Sequence, residues 1–143
     1  MTKLKIFVLL AIAMAFSLNL KADDDHVITF AQLPQSAQAF HKQHFAKKVP
    51  LVVTMDWDDY TIIYETGEKL EFDKQGNWKD INCRMSSVPD VLIPEQIKAN
   101  VKKSFPGTTI IELERDRRGY EVKLNNGLSV EYNHAFQVID IDD

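Results

Sequence analysis

Three aspartates fall within four residues in the segment Asp56-Trp57-Asp58-Asp59, which is a candidate metal site. Calcium takes six to eight oxygen ligands, and loop carboxylates often supply some of them. The order of residues differs from that of an EF-hand, which favours a solvated polar turn over a calcium site. Calcium is still the one cofactor that the sequence suggests, with Asp56, Asp58 and Asp59 as its candidate ligands.

Catalytic chemistry finds little support in the sequence. It contains no G-x-S-x-G, H-E-x-x-H, P-loop or G-x-G-x-x-G motif. His41 and His44 stand three residues apart on a predicted helix, a spacing that could hold a metal ion. The chain repeats itself internally, and Val101 takes the place of His41 in the second copy, which favours a structural place at the edge of the core. We predict that the protein is not an enzyme.

Acidic side chains recur on one face of the predicted strands. They alternate with apolar residues, as expected where one face of a sheet is buried and the other is open. A surplus of one sign favours a docking surface for a basic partner, whereas a plain solvated face is the alternative. Tryptophan is common among interface anchors. The candidate partner-binding residues are Glu65, Glu71, Glu112, Glu114, Glu121, Glu131, Trp57 and Trp78.

These residues lie within an internal repeat whose two copies align without gaps at one fixed offset. Leu33-Pro34 matches Ile93-Pro94, and conservative or identical pairs continue at the same offset to the end of the chain. The further identical pairs are Ala39/Ala99, Lys42/Lys102, Phe45/Phe105, Asp56/Asp116, Tyr60/Tyr120, Gly67/Gly127, Glu71/Glu131 and Asp80-Ile81/Asp140-Ile141. A fixed period of this kind indicates two copies of one structural unit. Two residues matched at this offset are called repeat counterparts.

Each unit is predicted to be one helix followed by four strands. Proline suits the first turn of a helix, and apolar residues then recur every four positions from Ile93 to Phe105. Period-two alternation follows, with Asn125-Asn126-Gly127 as a hairpin turn. We predict that Tyr60, Tyr120, Phe45 and Phe105 are buried and that Gly67 and Gly127 have positive φ. The expected fold is α+β: two tandem helix-plus-four-strand antiparallel units that form one continuous sheet, with both helices on one face.

On these residues the chain resembles the PepSY-like proteins with a β-lactamase-inhibitor-protein-like fold. The resemblance rests on the following residues and their repeat counterparts: Leu33-Pro34, Phe45, Tyr60, Ile62, Gly67, Leu70 to Asp73 and Asp80-Ile81. It implies a periplasmic, non-enzymatic protein in which the two units form one sheet. By analogy it suggests binding or inhibition of another protein through the open sheet face. No inhibitory loop is carried over.

The first 22 residues are typical of a secretory signal peptide. Lys3 and Lys5 precede the apolar run from Ile6 to Phe16, and Ala22 comes before an acidic stretch. The run is too short for a membrane anchor, so we predict a periplasmic protein cleaved after Ala22. The predicted organisation is residues 1–22 as signal peptide, 23–83 as first repeat and 84–143 as second repeat.

Cleavage would leave 14 basic and 21 acidic residues, a net charge of −7. Such a chain repels nucleic acid. Cys83 is the single cysteine, so no disulfide forms within the chain; burial at a strand end, an intermolecular disulfide and a reactive thiol are its possible roles. The expected function is non-catalytic binding of a protein or peptide partner in the cell envelope, inhibition being one form of it. The alternative is a calcium- or ligand-responsive periplasmic sensor.

Overall fold

The structure is a computed structural model that describes residues 25–143; the predicted signal peptide and its cleavage site lie outside the described residues. The described chain contains two α-helices, α1 (Gln35–His44) and α2 (Glu95–Ser104), and two short 3-10 helices (Phe30–Gln32 and Asp90–Leu92). The nine strands are β1 (His26–Ile28), β2 (Pro50–Met55), β3 (Asp59–Tyr64), β4 (Lys69–Asp73), β5 (Trp78–Asn82), β6 (Ile110–Arg115), β7 (Gly119–Leu124), β8 (Ser129–Asn133) and β9 (Val138–Asp142).

The strands form one antiparallel sheet in chain order from β1 to β9, which confirms the predicted α+β class with one sheet. Helix α2 and strands β6–β9 begin and end at the repeat counterparts of the residues that bound α1 and β2–β5. The described chain divides into two compact units: the residues up to Thr66 with Glu71–Asn77, and Gly67–Leu70 with Trp78–Asp143. The repeat boundaries and the placement of both helices on one face stay predictions.

In the first unit, α1 packs through aromatic rings. Phe40 meets Phe72 edge-on with ring centroids 5.6 Å apart. His41 Nδ1 lies 2.7 Å from the Tyr64 hydroxyl, and the two rings are stacked. Burial, together with the nearby positive Lys42, lowers the pKa of His41, which favours the neutral ring. His41 is therefore a packing residue of the helix.

In the second unit, α2 uses different chemistry at the corresponding positions. The Tyr132 hydroxyl donates to Asn100 Oδ1 at 2.6 Å, where the first unit has Phe72 and Phe40. Ile97 and Val101 provide the buried face of the helix. They lie on the side of the sheet that carries Val130 and Tyr132, which we call the core side of this unit; the other side is its open side.

The predicted turns are confirmed, whereas the predicted core is partly different. Gly67 and Gly127 have φ of 97° and 94°. Phe45 is 3% exposed, but Tyr60, Tyr120 and Phe105 are partly exposed and so less enclosed than predicted. The buried tyrosines are instead Tyr64 and Tyr132. Cys83 is buried directly after β5, in line with the structural interpretation of this residue.

Strand β1 was not predicted, and its pairing explains why the sheet has nine strands. It pairs with the outer edge of β2, His26 opposite Met55. The corresponding edge of β6 is taken by β5, with Ile81 opposite Leu113. Residues 86–88 are the repeat counterpart of β1, and the edge of β6 that they would need is occupied by β5. They form no strand: the Val88 N–H donates to the Ile110 carbonyl, and the Ser86 N–H donates to the Cys83 carbonyl.

Phe45 and Phe105, which directly follow α1 and α2, give a matched test of how the helices pack against the sheet. Phe45→Ala is expected to lower the free energy of unfolding by about 3–5 kcal/mol, the usual loss for a buried aromatic residue, because Phe45 stacks against Tyr64. Phe105→Ala should cost less, since Phe105 is partly exposed and lines an open cavity of about 290 Å³. Chemical denaturation of both variants measures the difference, and equal losses would contradict this account of the core.

Candidate functional site

Five carboxylates stand in one line across the open side of the second unit. Asp80 of β5 lies opposite Glu114 of β6, Glu114 opposite Glu121 of β7, Glu121 opposite Glu131 of β8, and Glu131 opposite Asp140 of β9. Directly opposed residues project from the same face of a sheet. We call Asp80, Glu114, Glu121, Glu131 and Asp140 the acidic row.

Pairing of the apolar neighbours places these acids on the open side. Leu113 lies opposite Val122, and Val122 opposite Val130. All three are fully buried on the core side. Side chains alternate between the two faces along a strand. Glu114, Glu121 and Glu131 are the chain neighbours of these apolar residues, so they project from the open side.

A second line of residues beside the acidic row carries the counter-charge. Glu112 lies opposite Lys123, and the Lys123 ammonium is 3.5 Å from Glu112 Oε1 and 3.9 Å from Glu114 Oε1. The Arg84 guanidinium lies 3.8 Å from the same Glu112 oxygen. Lys123 is half-buried and Arg84 is exposed. Their ion pairs offset part of the negative charge at the β5–β6 end of the row.

Three carboxylates converge at that end. Carboxylate oxygens of Asp80, Glu112 and Glu114 all lie within 4.8 Å of one another. Asp80 is 7% exposed and Glu112 is 3% exposed, so two of the three side chains are withdrawn from solvent. Oxygen ligands at this separation suit a hard divalent cation, although a full calcium shell needs further oxygens.

Two of the three carboxylates, Glu112 and Glu114, differ in how readily they ionise. Burial and the neighbouring acids Glu112 and Glu121 raise the pKa of Glu114 to about 8. Burial also acts to raise the pKa of Glu112, but hydrogen bonds with Asp80 and Glu114, together with Lys123 and Arg84, outweigh it and the pKa of Glu112 is lowered. At neutral pH the proton therefore resides on Glu114, and Glu112 is the charged partner.

The first unit has neutral residues at the positions that correspond to Glu112, Glu114 and Glu121. Thr54 lies opposite Thr61 where the second unit has Glu114 opposite Glu121, and Val52 occupies the position of Glu112. Glu131 and Asp140, by contrast, have the acidic repeat counterparts Glu71 and Asp80. Only the acids of β6 and β7 are therefore specific to the second unit.

The structure brings together four of the predicted partner-binding acids, Glu112, Glu114, Glu121 and Glu131. Glu71 lies on β4, and Glu65 lies in the exposed turn after β3, outside these strands. Asp80 and Asp140 were missed by sequence reasoning, as were the roles of Arg84 and Lys123. The identical Asp-Ile pairs of β5 and β9 were the available signal for the two aspartates.

The two predicted tryptophan anchors have different surroundings. Trp57 is 74% exposed in the turn between β2 and β3. Trp78 is half-buried on β5, where the Arg115 guanidinium lies 3.9 Å from its ring centroid and Arg115 Nε donates to the Trp78 carbonyl at 2.7 Å. One face of the Trp78 ring is therefore occupied by a cation–π contact, whereas the Trp57 ring is accessible.

The predicted calcium ligands lie in a turn that Asp56 organises. Asp56 Oδ1 accepts hydrogen bonds from the N–H groups of Asp58 at 2.8 Å and Asp59 at 2.7 Å. Asp116 Oδ1 does the same in the second unit, accepting from the N–H groups of Arg118 and Gly119. This Asx-type turn gives Asp56 a structural role. Calcium at Asp56, Asp58 and Asp59 stays a prediction.

A family model described as "Putative beta-lactamase-inhibitor-like, PepSY-like" matches residues 58–140. The match covers more than half of the chain and includes the whole acidic row. None of the curated proteins matches the chain.

Solved structures of Bacteroides proteins resemble the chain over most of its length. A "putative calcium-regulated periplasmic protein" of Bacteroides thetaiotaomicron is 40% identical, with a TM-score of 0.82 over 85% of this chain and 98% of that one. A "putative periplasmic protein" of the DUF2874 family from Bacteroides vulgatus is 44% identical, with a TM-score of 0.81 over 85% and 99%. A periplasmic protein of unknown function from Bacteroides vulgatus is 30% identical, with a TM-score of 0.80 over 83% and 99%.

The helices in residues 25–143 lack the length and apolar content that crossing a bilayer requires.

The proton on Glu114 predicts a specific pH dependence of stability. Its pKa is raised from 4.5 to about 8 in the folded protein, so its contribution to stability is fully present below about pH 4.5 and is lost as pH rises to about 8. Glu114→Gln cannot ionise and should lose less stability over this interval. Thermal melts across the interval measure it, with Glu95→Gln, an exposed helix residue, as the control. Parallel wild-type and Glu114→Gln profiles would show that Glu114 is ionised in the folded state.

Proposed function

Because the chain belongs to the PepSY-like family, and the solved relatives are labelled periplasmic, we propose that it is a non-catalytic periplasmic protein that binds a basic protein or peptide on the open side of its second unit. The observation that carries this proposal is the acidic row, with five carboxylates in register on five neighbouring strands. Inhibition of the bound protein is one form that such binding could take.

The energetic reason is that directly opposed like charges destabilise a sheet. Lys123 and Arg84 form their ion pairs at the β5–β6 end of the row, and residues 129–143 contain no lysine or arginine. A basic partner would supply the missing charge at Glu131 and Asp140. Complementary charge also raises the association rate.

The proposal includes a tandem origin of the two units. The helix-to-strand contacts fall at repeat counterparts, with Phe40–Phe72 in the first unit and Asn100–Tyr132 in the second. If one unit had been duplicated, the contacts would keep their positions while the side chains that make them changed. We also propose that the mature chain begins after Ala22, because the first 22 residues are typical of a secretory signal peptide.

Hexalysine binding tests the charge of the open side. Replacing two acids by Glu121→Gln and Glu131→Gln should weaken hexalysine binding roughly 2- to 30-fold, from about 0.2–1 kcal/mol for each exposed ion pair. Wild-type affinity should also fall as salt rises. Isothermal titration calorimetry measures both effects.

The matched control carries Asp90→Asn and Glu95→Gln, which remove two acids outside these strands. Hexaglutamate controls for non-specific association. Equal losses in the two double variants would mean that net charge, and not the acidic row, attracts the peptide.

A second candidate function is calcium binding at Asp80, Glu112 and Glu114. Two observations favour it: the convergence of their oxygens within 4.8 Å, and the description of the Bacteroides thetaiotaomicron relative as calcium-regulated. A divalent cation bound among the three carboxylates would neutralise the charge that Lys123 and Arg84 now offset. It would also displace the proton from Glu114, which makes binding stronger at higher pH.

Calcium should raise the melting temperature, since a ligand that binds only the folded state stabilises it. Glu112→Gln combined with Glu114→Gln should abolish this rise if the ion lies among these residues. Asp58→Asn combined with Asp59→Asn should abolish it if the ion lies in the β2–β3 turn. A wild-type melt that millimolar calcium leaves unchanged would exclude both locations.

A further inference from the structure

Among the strands of residues 25–143, β9 is the last of the sheet and pairs on one side alone. It follows β8 in the strand order, and within residues 25–143 no strand lies beyond it. All five of its residues are exposed, including the apolar Val138 (40%), Ile139 (53%) and Ile141 (51%). An edge of this kind presents backbone N–H and C=O groups to any strand of suitable chemistry.

The chain contains a direct precedent for filling this edge. Strand β5 is the repeat counterpart of β9, and β6 pairs with it in antiparallel register. Cys83 N–H donates to the Ile111 carbonyl at 2.7 Å, and Ile81, opposite Leu113, is fully buried. Within the described residues, Ile141 has the same place in β9 but no strand beside it.

The two sides of β9 specify the chemistry of an incoming strand. Val138 lies opposite Tyr132 and Ile141 opposite Val130, so both belong to the core side. Asp140 lies opposite Glu131 and Asp142 opposite Ser129, so both belong to the open side. A complementary strand would place apolar residues on the first side and lysine or arginine on the second.

We infer that the basic partner of the proposed function binds by adding an extended strand to the open edge of β9. The segment alternates basic and apolar residues. Its backbone continues the ladder as β6 does on β5, its basic side chains meet Asp140 and Asp142, and its apolar side chains cover Ile141. This mode of recognition, β-augmentation, takes affinity from main-chain hydrogen bonds and selectivity from alternate side chains.

A second copy of the chain is a poor occupant of this edge. Antiparallel pairing of two β9 strands with their apolar sides on one face sets aspartates opposite aspartates. Like charges directly opposite one another destabilise the pair. Asp140 and Asp142 thus disfavour pairing with a second copy and favour pairing with a basic strand. Specificity is this difference between the two affinities.

A lysine–valine alternating peptide and its N-methylated form test this inference. Both carry the same charges and side chains, but N-methylation of the amides that would face the protein removes their hydrogen bonds. We expect the unmethylated peptide to bind at least about tenfold more tightly, a difference of about 1.4 kcal/mol. We also expect it to slow amide hydrogen exchange selectively at Ile141, measured by NMR.

Protein variants provide a second measurement. Ile141→Pro removes an edge N–H, a change that edge strands tolerate, and should abolish the preference for the unmethylated peptide. Ile141→Val keeps the N–H and should retain the preference. If Ile141→Pro does not fold, Asp140→Asn with Asp142→Asn should weaken the binding of both peptides while leaving the preference for the unmethylated one.

The outcomes separate this inference from the proposed function. Equal binding of the two peptides would overturn strand addition while leaving charge recognition by the acidic row intact. Failure of hexalysine and both peptides to bind would overturn both. A third outcome concerns the protein without peptide. If the amide hydrogen exchange of Ile141 slows as protein concentration rises, a second copy of the chain occupies the edge and the peptide is excluded as its occupant.

Discussion

The register of β6, β7 and β8 is the constraint on which the second unit depends. Leu113, Val122 and Val130 face each other across the three strands and are fully buried. A slip of one residue in any strand would carry its acids into the core and its apolar residues into water. The transfer of each such aliphatic side chain to water costs about 1.5–3 kcal/mol, so a single register is strongly favoured.

The acidic row is a consequence of that register. Once the apolar residues are in line, the alternating side chains on the open side must be in line as well. The molecule accommodates the resulting repulsion in two ways within the unit: Lys123 and Arg84 lie beside Glu112, and the raised pKa of Glu114 keeps that carboxyl protonated. Toward β9 the same repulsion has no basic side chain from β8 or β9 to offset it.

The two units show how one backbone arrangement accepts different chemistry. Phe40 and Phe72 pack as rings in the first unit, while Asn100 and Tyr132 form a hydrogen bond at the corresponding positions of the second. On the strands, Thr54 and Thr61 stand where the second unit has Glu114 and Glu121. The fold therefore specifies where contacts occur, and the side chains decide that the open side of the second unit is acidic.

The sequence by itself determined the helices, the alternation of the strands and the hairpin glycines, because these depend on residues close together in the chain. It also identified Glu112, Glu114, Glu121 and Glu131 as a group, since alternation alone assigns them to one face. Only the tertiary structure decided that Asp80 and Asp140 complete the row, that Arg115 covers Trp78, that β1 adds a ninth strand, and that Phe105 is less enclosed than Phe45. Each of these depends on which strand edges and side chains meet across long separations in sequence, and local periodicity carries no information about that choice.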